Sequence, residues 1–446
     1  MNNKNYHVTP REDGSWQVKA TGGRRASSIH PTQKEAVEAA RSLATRTGAE
    51  LSIASAASCF REEAAVSDAP QIKAAEPKSG VAESMAKRVG NRIRRARTMS
   101  GHSLRGLEEA IEGEVSHTML GKFETGKAMP GTKVLARIGQ ALKVRPDYFY
   151  KRDSLKLTTK EYRGTLKLGI KPRQRLEEKA YEFFERYLEI ENILGMTVEK
   201  FPTADVSGMD AEDLPEAIEN AAVDLRKAWD LGMNPVPNVH VMLENHGVKV
   251  KILDHEEGFD GFSAFAESDD GVRVPVIALS NRWLENKKDL PRFRFTAIHE
   301  LAHLYLILPE SLSHKEKENY CHSFAGAFLI PPKPFEDRFG VNRIKIALKE
   351  LIAMKAEWGI SLGAIMKRAC NLGLVTAGRY KTYCIVSAKQ GWTKNEPGRW
   401  VGEESSKRFE PLVLRALAQE LISTSKAAGL LGISLPELAE KFETID

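Results

Sequence analysis

Apolar and polar residues alternate in two short stretches near the start of the chain, Tyr6–Val8 and Ser15–Lys19, with Asp13-Gly14 between them. A period of two is typical of strands that bury one face. Asp-Gly is a frequent turn pair, so this pattern predicts two strands joined by a turn.

A helical spacing of apolar residues follows from Ala36 to Leu43, and Glu50–Ile53 then predicts another strand. We therefore expect a small N-terminal α/β unit over residues 1–55. The next stretch is rich in Ala, Ser, Glu and Pro, which is typical of a linker, and the linker is assigned to residues 56–84.

Short helices are predicted between residues 85 and 152. Ser103 and Ser116 each precede apolar residues at helical spacing, and serine is a favoured N-cap because its hydroxyl accepts a hydrogen bond from the first turn. Gly126 ends the second of these helices, and Pro130 precedes another one. The pattern predicts an all-α domain, and a compact helical unit of this length suits helix-turn-helix recognition of DNA.

The remaining two thirds of the chain are predicted to be mainly helical. A connector over residues 153–220 contains a charged amphipathic helix, Arg173–Leu194, which fits either a packing strut or the contact helix of a homodimer. Residues 221–390 form the largest domain, mainly helical with a small sheet, and residues 391–446 form a helical tail. The expected fold class is multidomain α+β.

One predicted helix is apolar on every side yet contains three ionisable residues. His299, Glu300 and His303 interrupt the otherwise almost wholly apolar segment Phe295–Leu306. Histidines four residues apart project from one helix face, close enough to bind a single divalent ion, with Glu300 alongside. Buried polar groups need partners, and metal ligation satisfies them together. The pattern predicts a zinc site, and the alternative is two core histidines hydrogen-bonded to the backbone.

A third ligand should follow His303 in the chain, because zinc in hydrolases usually takes three protein ligands and leaves one position for water. Ser313 is predicted to cap a helix that extends to Ile330, and Glu318 lies near the edge of its apolar stripe. A carboxylate directed toward a core needs a counter-charge, which a metal ion provides. Glu318 is therefore the first choice, and Glu310 and His314 remain competing ligands.

The implied chemistry is metal-assisted hydrolysis. Zinc lowers the pKa of a bound water toward about 7 and polarises the scissile carbonyl. Glu300 is the expected catalytic residue, since it is placed to accept the proton of that water and to pass it later to the leaving amine.

The segment Arg292–His303, followed by Glu318 and Phe324–Pro331, resembles the ImmA/IrrE metallo-endopeptidases, and the resemblance covers about residues 221–376. It implies a zincin-like peptidase domain. In that family the known substrates are helix-turn-helix repressors, whose cleavage switches on stress-response or mobile-element genes. One departure is Cys321-His322, which stands where the family usually carries Ala-Asn.

A basic run lies in the predicted helical domain, where six of the eleven residues Lys87–Arg97 are basic and none is acidic. Such a run suits contact with phosphates. Ser116–Gly126, with Pro130 and Ala141–Val144, resembles the Cro/C1-type (XRE) repressor domain. The resemblance implies a double-stranded DNA operator as partner. The N-terminal unit resembles the small uncharacterised domain family DUF2188 and adds no catalytic group.

The residues expected at the DNA fall into two groups. The start of the recognition helix is expected to reach base edges, through Ser116, His117, Thr118 and Lys122. The basic run is expected to fix the register on the phosphate backbone, through Arg92, Arg94 and Arg95.

Composition fits a cytoplasmic multidomain protein. The chain has 446 residues, of which 42% are hydrophobic, enough for the cores of about three domains. Its four cysteines are scattered, so neither a disulfide framework nor a cysteine zinc site is indicated. No signal peptide or membrane span is recognisable, so no membrane partner is expected. The net charge of +6 is mild, and the local basic run carries the electrostatic argument.

Two functions from different classes fit these patterns. The first is a DNA-binding zinc endopeptidase that cleaves a helix-turn-helix repressor, or itself. The second is an XRE-family transcriptional regulator whose metallopeptidase-like domain serves as a sensor or dimerisation module without turnover. Glu300 favours the first, because a purely structural zinc site does not require a general base.

Overall fold

The computed structural model describes residues 6–11, 15–20, 26–32, 35–37, 39–40, 42–43, 51–53, 84–163, 168–197, 199–268, 271–285, 289–341, 343 and 345–442. The chain divides into two compact units, Met1–Val81 and Ala82–Asp446. Apart from Ser84, the predicted linker lies outside the described residues. Small sheets accompany many helices, which confirms the multidomain α+β class.

The first unit contains a four-stranded sheet in the order β3-β2-β1-β4. Its strands are β1 (Tyr6–Pro10), β2 (Trp16–Ala20), β3 (Ser28–His30) and β4 (Leu51–Ile53). β1 and β2 pair antiparallel as the alternation predicts, β4 pairs parallel with β1, and β3 is a strand that the pattern does not predict. Val8 lies opposite Val18, and both are fully buried beside Ala36 and Ala40 of the adjoining helical segment.

The second unit begins with a helical module, which we define as α1 (Met85–Met99), α2 (Leu104–Ala110), α3 (His117–Glu124) and α4 (Thr132–Leu142). The predicted serine caps are present: Ser103 accepts a hydrogen bond from the Gly106 N–H at 3.0 Å and Ser116 accepts one from the Met119 N–H at 3.4 Å. The module has its own buried apolar core, to which every helix contributes, including Ile93, Leu107, Leu120 and Ile138.

A second four-stranded sheet follows, in the order β5-β8-β9-β7. Its strands are β5 (Leu155–Arg163), β7 (Lys249–Leu253), β8 (Gly261–Ser268) and β9 (Arg273–Ser280). β8 pairs antiparallel with both β5 and β9, whereas β7 and β9 are parallel. Two very short strands, β6 (Ala204–Asp205) and β10 (Leu306–Ile307), pair with each other in a separate parallel sheet.

The long helix of the connector, α5 (Ile170–Ile193), contacts both α1 and β7. Its apolar side, which includes Ala180, Phe184 and Ile190, is buried within the chain, as a packing strut requires.

The helices after α5 are α6 (Leu214–Ala228), α7 (Val239–Asn245), α8 (Arg282–Glu285), α9 (Leu290–Tyr305), α10 (His314–Leu329), α11 (Pro332–Phe339), α12 (Leu348–Trp358), α13 (Leu362–Asn371) and α14 (Ala377–Lys389). The tail adds α15 (Phe409–Ala418), α16 (Thr424–Leu431) and α17 (Leu435–Lys441) and packs on the end of α5. α9 lies at the centre, in contact with β8 and β9 and with α10. None of the described helices has the length and apolar character needed to cross a membrane.

Candidate functional site

The predicted metal helix, α9, is buried along almost its whole length. Pro291 lies in its first turn, where a missing N–H costs no hydrogen bond. His299 and Glu300 are completely buried, and His303 is about nine-tenths buried at its side chain, which is 10% exposed. A helix that is apolar all round is stable only in such a core, and its few polar groups must then meet other polar groups.

α10 brings the carboxylate of Glu318 to these histidines. The helix starts with a capping box, in which Ser313 and Glu316 satisfy each other's backbone N–H groups. One turn later, the Glu318 oxygens lie 3.2 Å from His299 Nε2 and 3.2 Å from His303 Nε2. The two Nε2 atoms are 3.1 Å apart.

These separations fit a tetrahedral zinc cage, in which ligand atoms about 2.0 Å from the metal lie about 3.3 Å from one another. Two imidazoles and one carboxylate are also a ligand set that zinc accepts. Within the described part of the chain, His299, His303 and Glu318 are the side chains of this type whose ligand atoms all lie within 4.8 Å of each other.

His303 and Glu318 shift each other's pKa within the cluster. Burial lowers the pKa of His303, but hydrogen bonds with Cys321 and Glu318 outweigh it and raise that pKa to about 11. Burial raises the pKa of Glu318, whereas hydrogen bonds from His299 and His303 hold it well below its usual value. Both shifts arise because hydrogen bonds and opposite charges within this group of side chains stabilise the charged form of each residue.

Glu300 is held from the sheet side. The Ser263 hydroxyl on β8 donates a buried hydrogen bond to Glu300 Oε2 at 2.9 Å. Gly261, two residues earlier on the same strand, lies so close that a Cβ built there would be 3.5 Å from Glu300 Cγ. The orientation of the candidate general base is therefore set by β8.

The two competing ligands lie elsewhere: Glu310 and His314 are both exposed and are not part of the cluster.

Cys321 Sγ is 3.6 Å from His303 Nδ1, which leaves the Nε2 atom of that ring directed at the cluster. The ring of His322 lies 4.4 Å from that of His299. The two residues that depart from the family pattern thus both lie next to histidines that are candidate metal ligands.

A groove borders the cluster on the side of His322. A cavity of about 240 Å³ is lined by His322, Phe295 and Ala364 together with Tyr380 of α14. A neighbouring cavity of about 370 Å³ shares Phe295 and Ala364 and extends to Trp283. The cluster therefore adjoins a partly apolar space of a size that accommodates side chains of a peptide.

Sequence reasoning missed a buried ion pair that ties α9 to the C-terminal tail. The fully buried Arg294 guanidinium donates to Glu404 and to the carbonyls of Val236, at 2.7 Å, and Gly359, at 3.0 Å. Glu404 also accepts from the Val239 N–H at 2.9 Å. An arginine in an apolar helix signals that a counter-charge exists, but a partner this distant in the chain cannot be identified from sequence.

The residues predicted to reach base edges lie on α3 or, in the case of Ser116, directly before it. Ser116, Thr118 and Lys122 are exposed, and Ser116 also caps the helix. His117 is about half-exposed, with Nδ1 2.8 Å from Glu108 Oε2. That contact fixes the ring and lowers the pKa of Glu108 through the hydrogen bond.

The three arginines of α1 have different surroundings. Arg94 is exposed and available to a phosphate. Arg92 is 0% exposed and forms a bidentate pair with Glu185 of α5, at 2.6 and 2.8 Å. The prediction that Arg92 contacts DNA is therefore wrong, because its guanidinium is enclosed between the helical module and α5. Arg95 faces the same way: it pairs with Glu178 at 3.1 Å and stacks on Tyr181, so the structure gives it an intramolecular role as well.

Comparisons with known families cover three separate segments. The model of the family described as uncharacterized protein conserved in bacteria (DUF2188) matches residues 6–65. A helix-turn-helix model matches residues 93–149, and the model of the IrrE N-terminal-like domain matches residues 243–369, a segment that contains α9 and α10. These matches confirm the three resemblances and their order along the chain.

No curated protein matches the chain as a relative. Among solved structures, the apo form of the competence regulator ComR from Streptococcus vestibularis aligns with 14% sequence identity and a TM-score of 0.14. The alignment covers 80% of this chain and 97% of that chain. Nothing about this protein follows from a TM-score that low.

Proposed function

Because the chain joins a helix-turn-helix DNA-binding domain to an IrrE-like, peptidase-like domain, we propose that it is a DNA-bound zinc endopeptidase. The observation that carries the proposal is the convergence of His299, His303 and Glu318 to within 3.2 Å of one another, with Glu300 fixed beside them. The three converging residues would hold the proposed cofactor, Zn²⁺.

The reaction proposed for this site is hydrolysis of a peptide bond. Bound Zn²⁺ supplies Lewis acidity, which polarises the scissile carbonyl and acidifies water. Glu300 takes the proton of the attacking water onto its carboxylate and delivers it to the leaving nitrogen as the C–N bond breaks. The Ser263 hydrogen bond holds that carboxylate in one orientation, and complete burial of Glu300 keeps bulk water from competing for it.

The substrate proposed is a helix-turn-helix repressor, in keeping with the IrrE-like domain. The helical module would place the peptidase on DNA through Thr118 and Lys122 of α3 and the exposed Arg94. A repressor bound at an adjacent site is then presented at a high effective concentration. Its cleavage would derepress stress-response or mobile-element genes.

Metal analysis combined with a cleavage assay tests the proposal. The purified protein should bind one equivalent of zinc and cut a repressor encoded beside it. Glu300→Gln should retain zinc but lose turnover by at least about 100-fold, the lower range of general acid–base contributions. Glu310→Gln, which alters an exposed carboxylate outside the cluster, is the matched control and should remain active.

Two outcomes would overturn the proposal. If zinc is absent both from freshly purified protein and from protein incubated with zinc, the proposed site does not bind its cofactor. The second outcome is a zinc-loaded protein that cuts none of the neighbouring repressors, together with a Glu300→Gln variant that behaves like the wild type in cells. That result would instead establish a regulator whose metal domain acts as a sensor or dimerisation module without turnover.

A further inference from the structure

β5 occupies an edge of the sheet that the IrrE-like segment leaves open. The matched residues, 243–369, contain β7, β8 and β9, and in that set β8 is one of the two edge strands. β5 comes from outside the match: it starts at Leu155, shortly after the helical module, and pairs antiparallel with β8.

This edge of β8 borders the candidate general base. Ser263 donates its hydrogen bond to Glu300, and Gly261 packs against the same side chain. α9 contacts β5 as well as β8. The unpaired side of β8, without β5, would therefore expose backbone hydrogen-bonding groups directly beside the site.

The register of β5 places its backbone next to those two residues. Glu161 lies opposite Ser263, and Arg163 lies opposite Gly261. Neighbouring strands are separated by about 4.8 Å, so the Glu161–Arg163 backbone is one strand spacing from the residues that touch Glu300. An extended peptide approaching the site from this side would need the same position.

β5 is regular at one end and irregular at the other. Leu155–Thr158 pair in sequence with Ser268–Phe265, and Leu155 is buried. The register then shifts between Thr158 and Glu161, as in a β-bulge, a feature that interrupts the ladder and recurs beside active sites. The strand is thus anchored away from Glu300 and less regularly paired close to it.

Extended peptides bind many proteins by adding a strand to an exposed sheet edge. We infer that the edge of β8 is the peptide-binding edge of the site, and that β5 occupies it as an internal strand which a substrate must displace. This inference rests on the proposed peptidase function and defines its substrate class as an unfolded segment able to pair as an antiparallel strand.

The displacement would be linked to the helical module. Arg92 donates to the carbonyls of Lys151 and Arg152, at 3.3 and 2.6 Å, immediately before β5 begins. A movement of the module on DNA or on a repressor would therefore act on the start of this strand.

A binding assay independent of catalysis tests the inference. The probe is a fluorescent synthetic peptide with the sequence of Leu155–Arg163, and the protein is the metal-free full chain. The double variant Leu157→Pro/Thr158→Pro loses two consecutive backbone N–H groups. Successive N–H groups of a strand point to opposite sides, so one of the two faces β8, and β5 should detach when it is lost. Peptide affinity should rise at least about 10-fold over the wild type, because the internal competitor is removed. Lys156→Ala, an exposed change on the same strand, should bind like the wild type.

A cross-strand disulfide provides the second variant in case the proline variant does not fold. Lys156 lies directly opposite Glu267, so Lys156→Cys/Glu267→Cys should close β5 onto β8 when oxidised. Oxidation should abolish peptide binding, and reduction should restore it. In the proline variant, whose β5 is detached, hydrogen exchange should show the bound peptide protecting the amides of β8.

Equal peptide binding in the oxidised and reduced states, or by the folded proline variant and the wild type, would overturn the inference. The proposed peptidase function is judged separately. A chain that binds the peptide as expected but never cuts a repressor keeps the inference and loses the protease. A chain that cuts repressors equally fast with the disulfide closed keeps the protease and loses the inference.

Discussion

At the scale of single residues, Ser263 donates a buried hydrogen bond that helps to orient Glu300. Ser263→Ala removes a hydrogen bond to a charged group, which contributes about 1.5–3 kcal/mol, so kcat should fall about 10-fold to 100-fold. The loss also destabilises the ionised carboxylate, so the acidic limb of the pH–rate profile should move to higher pH. Zinc content should not change, because Ser263 is not part of the ligand cluster.

Ser268→Ala is the matched control, since Ser268 lies on the same strand at the end away from Glu300. A decrease in kcat with no movement of the acidic limb would show that Ser263 supports the strand and not the base.

Protonation of the buried His240 should destabilise the folded chain as the pH falls. Burial lowers its pKa to about 4, whereas an unfolded histidine titrates near about 6.5. The folded-state pKa is depressed, so stability is fully present above about pH 6.5 and is lost as the pH falls toward about 4. At about pH 5 the loss amounts to about 2 kcal/mol.

Urea unfolding at about pH 7.5 and about pH 5 measures this effect. His240→Gln should lose less stability across the interval than the wild type, and the exposed His314→Gln should lose the same. Burial raises the pKa of Glu244, whose Oε1 is 3.9 Å from the His240 ring, and its titration opposes that of His240, so the comparison of variants is needed to isolate the histidine. Parallel losses in wild type and His240→Gln would contradict the assignment.

Single residues also show where a sequence pattern misleads. The basic run of α1 suggested phosphate contacts for Arg92, Arg94 and Arg95, yet Arg92 is buried and Arg94 is exposed. A signal for the difference was present: Arg92 shares the helical spacing of Val89, Ile93 and Ala96, which are all buried. Charge density alone does not distinguish a DNA-facing arginine from one that pairs inside the chain, whereas its position in the apolar stripe does.

At the scale of elements, local signals predicted well and non-local pairings did not. The capped helices α3 and α10 begin where Ser116 and Ser313 indicate, because capping depends on a few adjacent residues. The pairing of β5 with β8 joins segments about a hundred residues apart, and nothing local encodes it. The same holds for Glu404, whose partner Arg294 is equally remote.

Substitutions on α3, the predicted recognition helix, and on α1 should affect DNA binding differently. Arg94→Ala should weaken binding to every DNA sequence, because an exposed phosphate contact is lost. The salt slope, which is the slope of the logarithm of the binding constant against the logarithm of the salt concentration, should decrease in magnitude by about 1. His117→Ala should cost about 1–3 kcal/mol on the operator alone, since Glu108 directs its ring from the start of α3. Titrations of operator and random DNA at several salt concentrations distinguish the two. Equal losses on all sequences for both variants would refute the division into readers and anchors.

At the scale of the whole second unit, buried ion pairs join parts that are distant in sequence. Arg92 and Glu185 fix the helical module to α5, and Arg294 and Glu404 fix the tail to α9. Lys249 and Glu191, 2.7 Å apart, join the sheet to the same α5. Such pairs are stable only when both partners are present, because an uncompensated buried charge is costly. The module, the candidate site and the tail should therefore unfold together.

Arg92→Met tests that coupling and the reassignment of Arg92 at once. The variant leaves Glu185 as a buried carboxylate without its main partner, which should cost about 3–5 kcal/mol and release the helical module as an earlier transition in calorimetry. The salt slope of DNA binding should stay unchanged, because Arg92 makes no phosphate contact. Arg94→Ala should show the reverse, a lower slope and an unaltered melting profile. Arg92→Met/Glu185→Leu, which replaces the pair by apolar side chains, should recover most of the lost stability. A lower salt slope with unchanged melting for Arg92→Met would return this arginine to the DNA surface and separate the module from α5.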